Sequence, residues 1–493
     1  MKKLISILLV IGLFWGSLCG CRSKEKTEPS ADTAGYAMTS EHFKVSRAQM
    51  QYFFNEQYLS FLSAYSGNLD AVGLDTSKKL SEQACTLDSS ASWYDYFLNL
   101  ATDKMTQCLV FSEKALKDGT KLSAADKAEI EKQLKAVSAA AKSENLSEQD
   151  YYEKYYGSSV KKSDVQKCME MEHLVQKYFK SYTKKLDVSE NALEKYYAGH
   201  TRLYNRVSYL YFNVPVDSTS TDGQQKAKAS ADAISDAKNE KQFKSLVTDY
   251  ITNYYLEHSG NRYNAKSVSK QVKETIQKCT VTDAGYSAAS AASRWAFDTQ
   301  RAAGDTTVIN ETDGSYTVYY ITSAPKREEY KTVNMRTVLF SPDDYSTDGE
   351  AKHAAELCLK DLRLASFSKD AFLEKAQEYS ADTATKSTGG LYENLKKDAL
   401  SNADEVENWL FSKDRAPGDS ALVHTEKYGW FVLYFESEGV PAWQVDVLRD
   451  YKNSRFNTYA EEEGDNYVIR MNNNILYQIK EAAASELNIG TEA

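Results

Sequence analysis

Trp295-Ala-Phe-Asp-Thr-Gln-Arg-Ala-Ala-Gly-Asp305 and Trp409-Leu-Phe-Ser-Lys-Asp-Arg-Ala-Pro-Gly-Asp419 spell nearly the same segment, 114 positions apart. The same offset carries Val318-Tyr319-Tyr320 onto Val432-Leu433-Tyr434, and an offset of 116 carries Pro325 onto Pro441. A repeat of that length is a domain, so two copies of one module follow each other. Upstream of each Trp segment, a run rich in β-branched and aromatic residues stops at a proline: Val207 to Val214 before Pro215, and Met335 to Phe340 before Pro342. Each copy therefore opens with a strand. Two helical stretches follow, Gly223 to Ala237 and Lys241 to Tyr250 in the first copy, Gly349 to Leu362 and Lys369 to Tyr379 in the second. Then come the Trp segment, a Gly-Asp turn and a closing hairpin. The order β-α-α-α-β-β predicts an α+β module, a small sheet with helices packed on it.

Between residues 41 and 200 the periodicity is helical. Ser46-x-x-Gln49, Ser123-x-x-Asp126 and Ser147-x-x-Asp150 place an oxygen acceptor ahead of a helical run and an acid or amide three positions on. Each is a helix start. Trp93, Phe97 and Leu100 recur at helical spacing and share one buried face, and Asp118-Gly119 ends that helix. Ser189 caps a last helix running to Tyr197, with Glu190 at its positive end. Beyond Pro441, Trp443 to Ala484 reads helical again, and its apolar face needs a host, for which the N-terminal helices are the natural choice.

Lys2 and Lys3, an apolar run of 15 residues from Leu4 to Leu18, and Leu18-Cys19-Gly20-Cys21 form the start of the chain. The run is short for a membrane span and fits the apolar region of a signal segment. Its ending resembles a bacterial lipobox, which implies lipidation of Cys21. The stretch from Arg22 to Ser40 is polar and core-poor, as a tether is. The chain has 493 residues, 42% of them hydrophobic, with 60 Lys and Arg against 70 Asp and Glu for a formal charge of −10. Loss of residues 1–20 removes Lys2 and Lys3 and makes the remainder still more acidic. The core is ample, and an acidic body argues against nucleic acid as a partner. The cysteines beyond residue 21, at 85, 108, 168, 279 and 358, are scattered and odd in number. They read as buried thiols, with no disulfide framework or metal site. His353-x-x-Glu356 lacks further ligands and is given no metal role.

In the second copy, Glu378-Tyr-Ser-Ala-Asp382 followed after six residues by Gly389-Gly-Leu-Tyr392 resembles the signature of parvulin-type (PpiC) peptidyl-prolyl isomerases. Met335-Arg-Thr-Val-Leu-Phe340 is similar to that family's opening strand, and Tyr428-Gly-Trp-Phe-Val432 to its closing one. The helix from Ser189 to Tyr197 resembles the linker helix of PrsA- and SurA-like extracytoplasmic foldases. The resemblance implies an α+β chain in six parts: a lipoprotein signal peptide (1–20), a tether (21–40), a helical chaperone-like domain (41–200), a degenerate parvulin-like module (204–327), a parvulin-like isomerase module (331–440), and C-terminal helices packing on the N-terminal domain (441–493). It implies small antiparallel sheets, no cofactor and no metal. The partners it implies are unfolded or newly exported polypeptides and, through the lipid anchor, the bacterial membrane; a homodimer is compatible with it.

Such modules rotate X-Pro bonds, which face a barrier of about 18–20 kcal/mol unaided. The family's polar network holds two histidines, an Asp or Cys, and a Thr or Ser. Carried onto this chain, the Asp is Asp382 and the hydroxyl Thr425, while Thr337 and Phe431 stand at the histidine positions. Leu391, Trp409, Leu410 and Phe411, with Phe431, are candidates to floor a proline pocket. His424 precedes the hairpin turn and reads as a solvated residue. In the first copy, Asn253 falls at the Asp382 position, Tyr209 and Thr317 at the histidine positions, and no Gly-Gly follows. That copy reads as structural or substrate-contacting. Thirty-five tyrosines, several in doublets, suit either half-buried packing or the gripping of varied unfolded segments.

Overall fold

The computed structural model describes residues 35–65, 69, 72–258, 265–287, 290–298 and 300–482. The signal segment, Cys21 and most of the tether lie outside these residues, as does the chain from 483 on. Two compact units are present: one takes the chain up to Ser189 together with everything from Asp450, the other is Glu190–Arg449.

In the first unit a hairpin of β1 (Met38–Thr39) and β2 (Lys44–Val45) precedes α1 (Arg47–Ala64), α2 (Trp93–Asp118), α3 (Ala124–Ser143), α4 (Glu148–Tyr156) and α5 (Lys162–Lys185). Ser46 accepts from the Gln49 amide while Gln49 reaches back to Ser46, and Ser123 with Asp126 repeats the box. Ser147 accepts from the Asp150 amide, and Gly119 closes α2 with φ +67°. Each serine cap contributes about 1 kcal/mol. Trp93 stacks on Phe97 with ring centroids 5.7 Å apart, both fully buried, and Leu100 is half-buried beside them.

The second unit opens with α6 (Glu190–Gly199), directly after Ser189, and a short α7 (Thr201–Tyr204). The first module then runs β3 (Arg206–Val214), α8 (Gly223–Ser235), α9 (Glu240–His258), α10 (Ala265–Lys278), β4 (Thr280–Ala284), α11 (Ala291–Ala296), β5 (Thr306–Asn310) and β6 (Tyr316–Lys326). The second runs β7 (Lys331–Phe340), α12 (Asp348–Leu364), α13 (Lys369–Tyr379), β8 (Leu391–Leu395), α14 (Asp404–Leu410), β9 (Ser420–Thr425) and β10 (Gly429–Pro441). Both sheets are antiparallel and four-stranded, ordered β4-β3-β6-β5 and β8-β7-β10-β9. The fold is α+β with small antiparallel sheets.

Each module contains a strand that the expected order lacks. β4 and β8 are short sheet edges; β8 buries only Leu395 fully, so no alternation marks it in the sequence. α9 also continues eight residues beyond the expected Tyr250, because Ile251 and Tyr255 prolong its buried and half-buried face. Asn253 is therefore an exposed residue inside a helix, and its expected match to Asp382 fails.

The duplicated Trp segments build one device twice. The Arg301 guanidinium lies 5.1 Å from the Trp295 ring centre and donates to the Trp295 carbonyl; Arg415 lies 4.0 Å from Trp409 and donates to its carbonyl at 3.0 Å. Asp305 and Asp419 each accept from a backbone amide three residues earlier. The Gly304 amide donates to Ile321 of β6, and the Gly418 amide to Phe435 of β10. The segment thus locks the short helix before it to the hairpin after it, which explains why Trp, Arg, Gly and Asp recur at fixed spacing. A cation over a tryptophan contributes about 0.5–2 kcal/mol by itself.

After β10 come α15 (Ala442–Gly464), β11 (Arg470–Met471) and α16 (Asn473–Leu476). The tail is not one helix to Ala484: it breaks after Gly464, and β11 pairs with β1. Phe456 stacks on Phe111 at 5.3 Å, and the Tyr94 hydroxyl donates to the Ile479 carbonyl at 3.0 Å. All five cysteines of the described residues are free, four of them buried. Among the described residues, no helix is long and apolar enough to cross a membrane.

One group inside the first unit is unusual for a helical core. Lys104 of α2 is buried between Glu56 of α1, at 2.6 Å, and Glu172 of α5, at 2.5 Å. One ammonium neutralises one carboxylate, leaving the second in excess in a site dry enough that Glu56 Oε1 and Glu172 Oε2 have no hydrogen-bond partner. Burial accordingly drives the Glu172 carboxyl well above its ordinary range, while Lys104 pulls it partly back and Glu56 raises it further. A carboxyl that binds its proton more tightly folded than unfolded stabilises the fold in acid and loses that contribution as pH rises through its raised folded value. Thermal melting of the full chain across a pH series is expected to show this loss, and Glu172→Gln to flatten it. Lys104→Met, which strands both carboxylates, is expected to cost about 3–5 kcal/mol at neutral pH; a curve unchanged by either substitution would contradict the account.

Candidate functional site

β7 is one of the two inner strands of the second sheet, and its alternation divides the module into two layers. Val338 and Phe340, with Val432 of β10, face α12 and α13. Met335 and Leu339, with Phe431, Leu433 and Phe435, face α14 and its flanking loops. Thr337 lies on this second face, opposite Leu433. It is 1% exposed, and its hydroxyl has no hydrogen-bond partner.

Asp382 reaches the same neighbourhood from the loop after α13. The Ala381 amide donates to the Leu339 carbonyl at 2.8 Å, and Ser380 accepts from the Leu339 amide at 3.1 Å, so the loop is seated against the end of β7. Asp382 Oδ1 accepts from the Ala384 amide at 3.1 Å, and Oδ2 accepts from the Thr385 hydroxyl at 2.5 Å and the Tyr392 hydroxyl at 2.8 Å. Burial first, then the bond to Asp382, raises the Tyr392 phenol above its ordinary range.

The far end of the loop is fixed by Gly389 and Gly390. The Thr337 amide donates to the Gly390 carbonyl at 3.0 Å, and a Cβ on Gly390 would lie 1.8 Å from the Thr337 carbonyl oxygen. With φ +71° as well, only glycine fits. Arg336, pointing to the opposite face, donates to the Thr388 and Gly389 carbonyls at 2.9 and 3.0 Å and pairs with Glu436 at 2.5 Å. The guanidinium thus fastens the Asp382 loop to the two central strands.

Phe431 and Leu410 are buried in this face, and Trp409 and Phe411 are half-buried at its edge. The Trp409 ring carries Arg415, and Phe411 packs edge-on to Tyr330 at 6.0 Å. Thr425 is buried at the end of β9, where its hydroxyl accepts from the Tyr428 amide at 3.2 Å across the hairpin turn. Leu391 is next to Tyr392 on β8 and points to the other side of the sheet. His424 is half-exposed on that other side too, its ring 4.6 Å from Trp430. Tyr392, Thr385 and Arg336 were not picked out by sequence reasoning. Tyr392 lies inside the quoted signature, but its direction depends on β8, which no sequence signal marked.

The first module keeps the frame and fills the face differently. Its register sets Tyr211 opposite Tyr319, as Thr337 is opposite Leu433, so Tyr211 rather than Tyr209 holds the first histidine position. Thr317 holds the second, as expected. Rings of Tyr209, Tyr211 and Tyr319 lie 5.8 to 6.5 Å from one another across the face.

Residues 319–437 match the family model of the PPIC-type PPIase domain. The match begins within β6, takes in β7, β8 and β9, and ends within β10. The chain thus carries a parvulin-type domain of the PPIC family. No curated protein matches the chain. Gly390→Ala is expected to destabilise this module by about 3 kcal/mol or more, from the left-handed backbone and the clash together; chemical denaturation reads it, and wild-type stability would refute the role given to the loop.

Proposed function

We propose that this protein is a membrane-anchored, extracytoplasmic folding factor that receives unfolded, newly exported polypeptides, with its second module acting on their prolyl bonds. The observation that carries the reading is a PPIC-type domain in which Asp382 is held by Tyr392 and Thr385 beside an apolar face of Phe431, Leu410 and Leu339. Prolyl isomerisation suits such a site. It needs no covalent step and no cofactor, only an apolar grip on the ring and polar groups that favour the twisted amide, each ~1.4 kcal/mol of selective stabilisation giving tenfold in rate. The helical first unit fits a role in holding clients. The lipobox-like ending at Cys21 supports lipid anchoring, and the acidic balance speaks against nucleic acid as a partner.

A second reading has its own support. Thr337 and Phe431 occupy the family's histidine positions, and both Asp382 oxygens already accept hydrogen bonds, which favours a holdase that grips clients without isomerising them. Protease-coupled prolyl isomerisation with the full chain separates the two. The first reading expects acceleration that falls about tenfold in Asp382→Ala; a rate at the uncatalysed background in both proteins, with aggregation of an unfolded client still suppressed, leaves the holdase. Failure to suppress aggregation removes both. In bacterial cells fed radiolabelled palmitate, label is expected on the chain and absent from Cys21→Ala; label that survives this substitution overturns the anchor.

A further inference from the structure

Tyr392 and Thr337 are related in a way that the folding-factor reading leaves unused. Tyr392 pairs with Met335 across β8 and β7, yet its hydroxyl reaches Asp382, whose loop is seated at Leu339. Met335, Thr337 and Leu339 alternate onto one face, so Thr337 lies between the position that Tyr392 pairs with and the position at which the Asp382 loop is seated. At that position the Thr337 hydroxyl is buried and makes no hydrogen bond. An unmet buried hydroxyl costs about 1–3 kcal/mol, and a valine of the same shape would avoid that cost.

We propose that Tyr392 is a gate: with its hydroxyl on Asp382 it covers Thr337, and a prolyl peptide that displaces the ring offers a backbone carbonyl to which the Thr337 hydroxyl donates. The inference rests on the proposed role of this module in taking prolyl polypeptides. The hydroxyl is held by Asp382 and the neighbouring Thr385 hydroxyl, and the ring is only half-buried, so the closed position is maintained by a small free energy. The Asp382 loop stays in place when the ring leaves, because Ala381, Gly390 and Arg336 fix it independently of Tyr392. Thr337 then pays its desolvation cost in the closed state and recovers it in the liganded one.

The test uses the full chain and a short fluorescein-labelled peptide centred on an Ala-Pro bond, with an Ala-Ala peptide as control, read by anisotropy. Tyr392→Phe, which keeps the ring and loses its anchor, is expected to bind the prolyl peptide roughly fivefold tighter than wild type, the equivalent of one ordinary hydrogen bond. Thr337→Val is expected to raise the melting temperature of the free protein while weakening the prolyl peptide, and to abolish the gain in the double variant. A residue that only supports the fold would move both readouts in one direction. Equal or weaker binding by Tyr392→Phe, or a gain that survives Thr337→Val, overturns the gate. If neither protein distinguishes the two peptides while the chain still suppresses aggregation, the gate fails and the folding role stands.

Discussion

An arginine guanidinium lying on a tryptophan ring, with its Nε on that tryptophan's own carbonyl, holds each module together. From Trp409 and Arg415 the chain passes to Gly418, whose amide joins β10, and to Asp419, which ties the turn. The same four contacts recur from Trp295 to Asp305. The device fixes where the closing hairpin lies against the short helix. The Gly418 amide meets β10 at Phe435 and the Gly304 amide meets β6 at Ile321, so the short helix and the hairpin are joined at the same point in both modules.

Because the device needs particular residues at fixed spacing, it was plain in the sequence as a repeat. The serine caps, the opening strands and α13 were equally plain, for their signals are local: an oxygen before a helix, β-branched residues before a proline. β4 and β8 were not, since a short edge strand buries too little to impose alternation. The break after Gly464 was missed because β11 exists only through pairing with β1, a partner more than four hundred positions away. Asn253 and Tyr209 were misplaced for a related reason: helix length and strand register are set by the assembled sheet, not by the count from the nearest tyrosine.

At the site, the signature points to Asp382 and the repeated Trp segment to the apolar residues of α14. What turns them into a site was not legible. The Gly390 approach to Thr337, the Arg336 fastening and the Tyr392 bond each join segments about 10 to 55 residues apart through contacts that only the folded sheet brings about. The two modules differ where such contacts differ. The second keeps a loop that presents a carboxylate; the first replaces that loop with the continued α9 and α10 and lays tyrosines over the face.

Under the proposed function, clients meet the second module rather than the first, at β7 and the Asp382 loop. Hydrogen exchange of the full chain, alone and with an unfolded proline-rich client, measures this directly. Protection is expected to rise in 335–340 and 380–392 and to remain unchanged in 206–214. Protection that rises in 206–214 instead, or in neither segment, would contradict it.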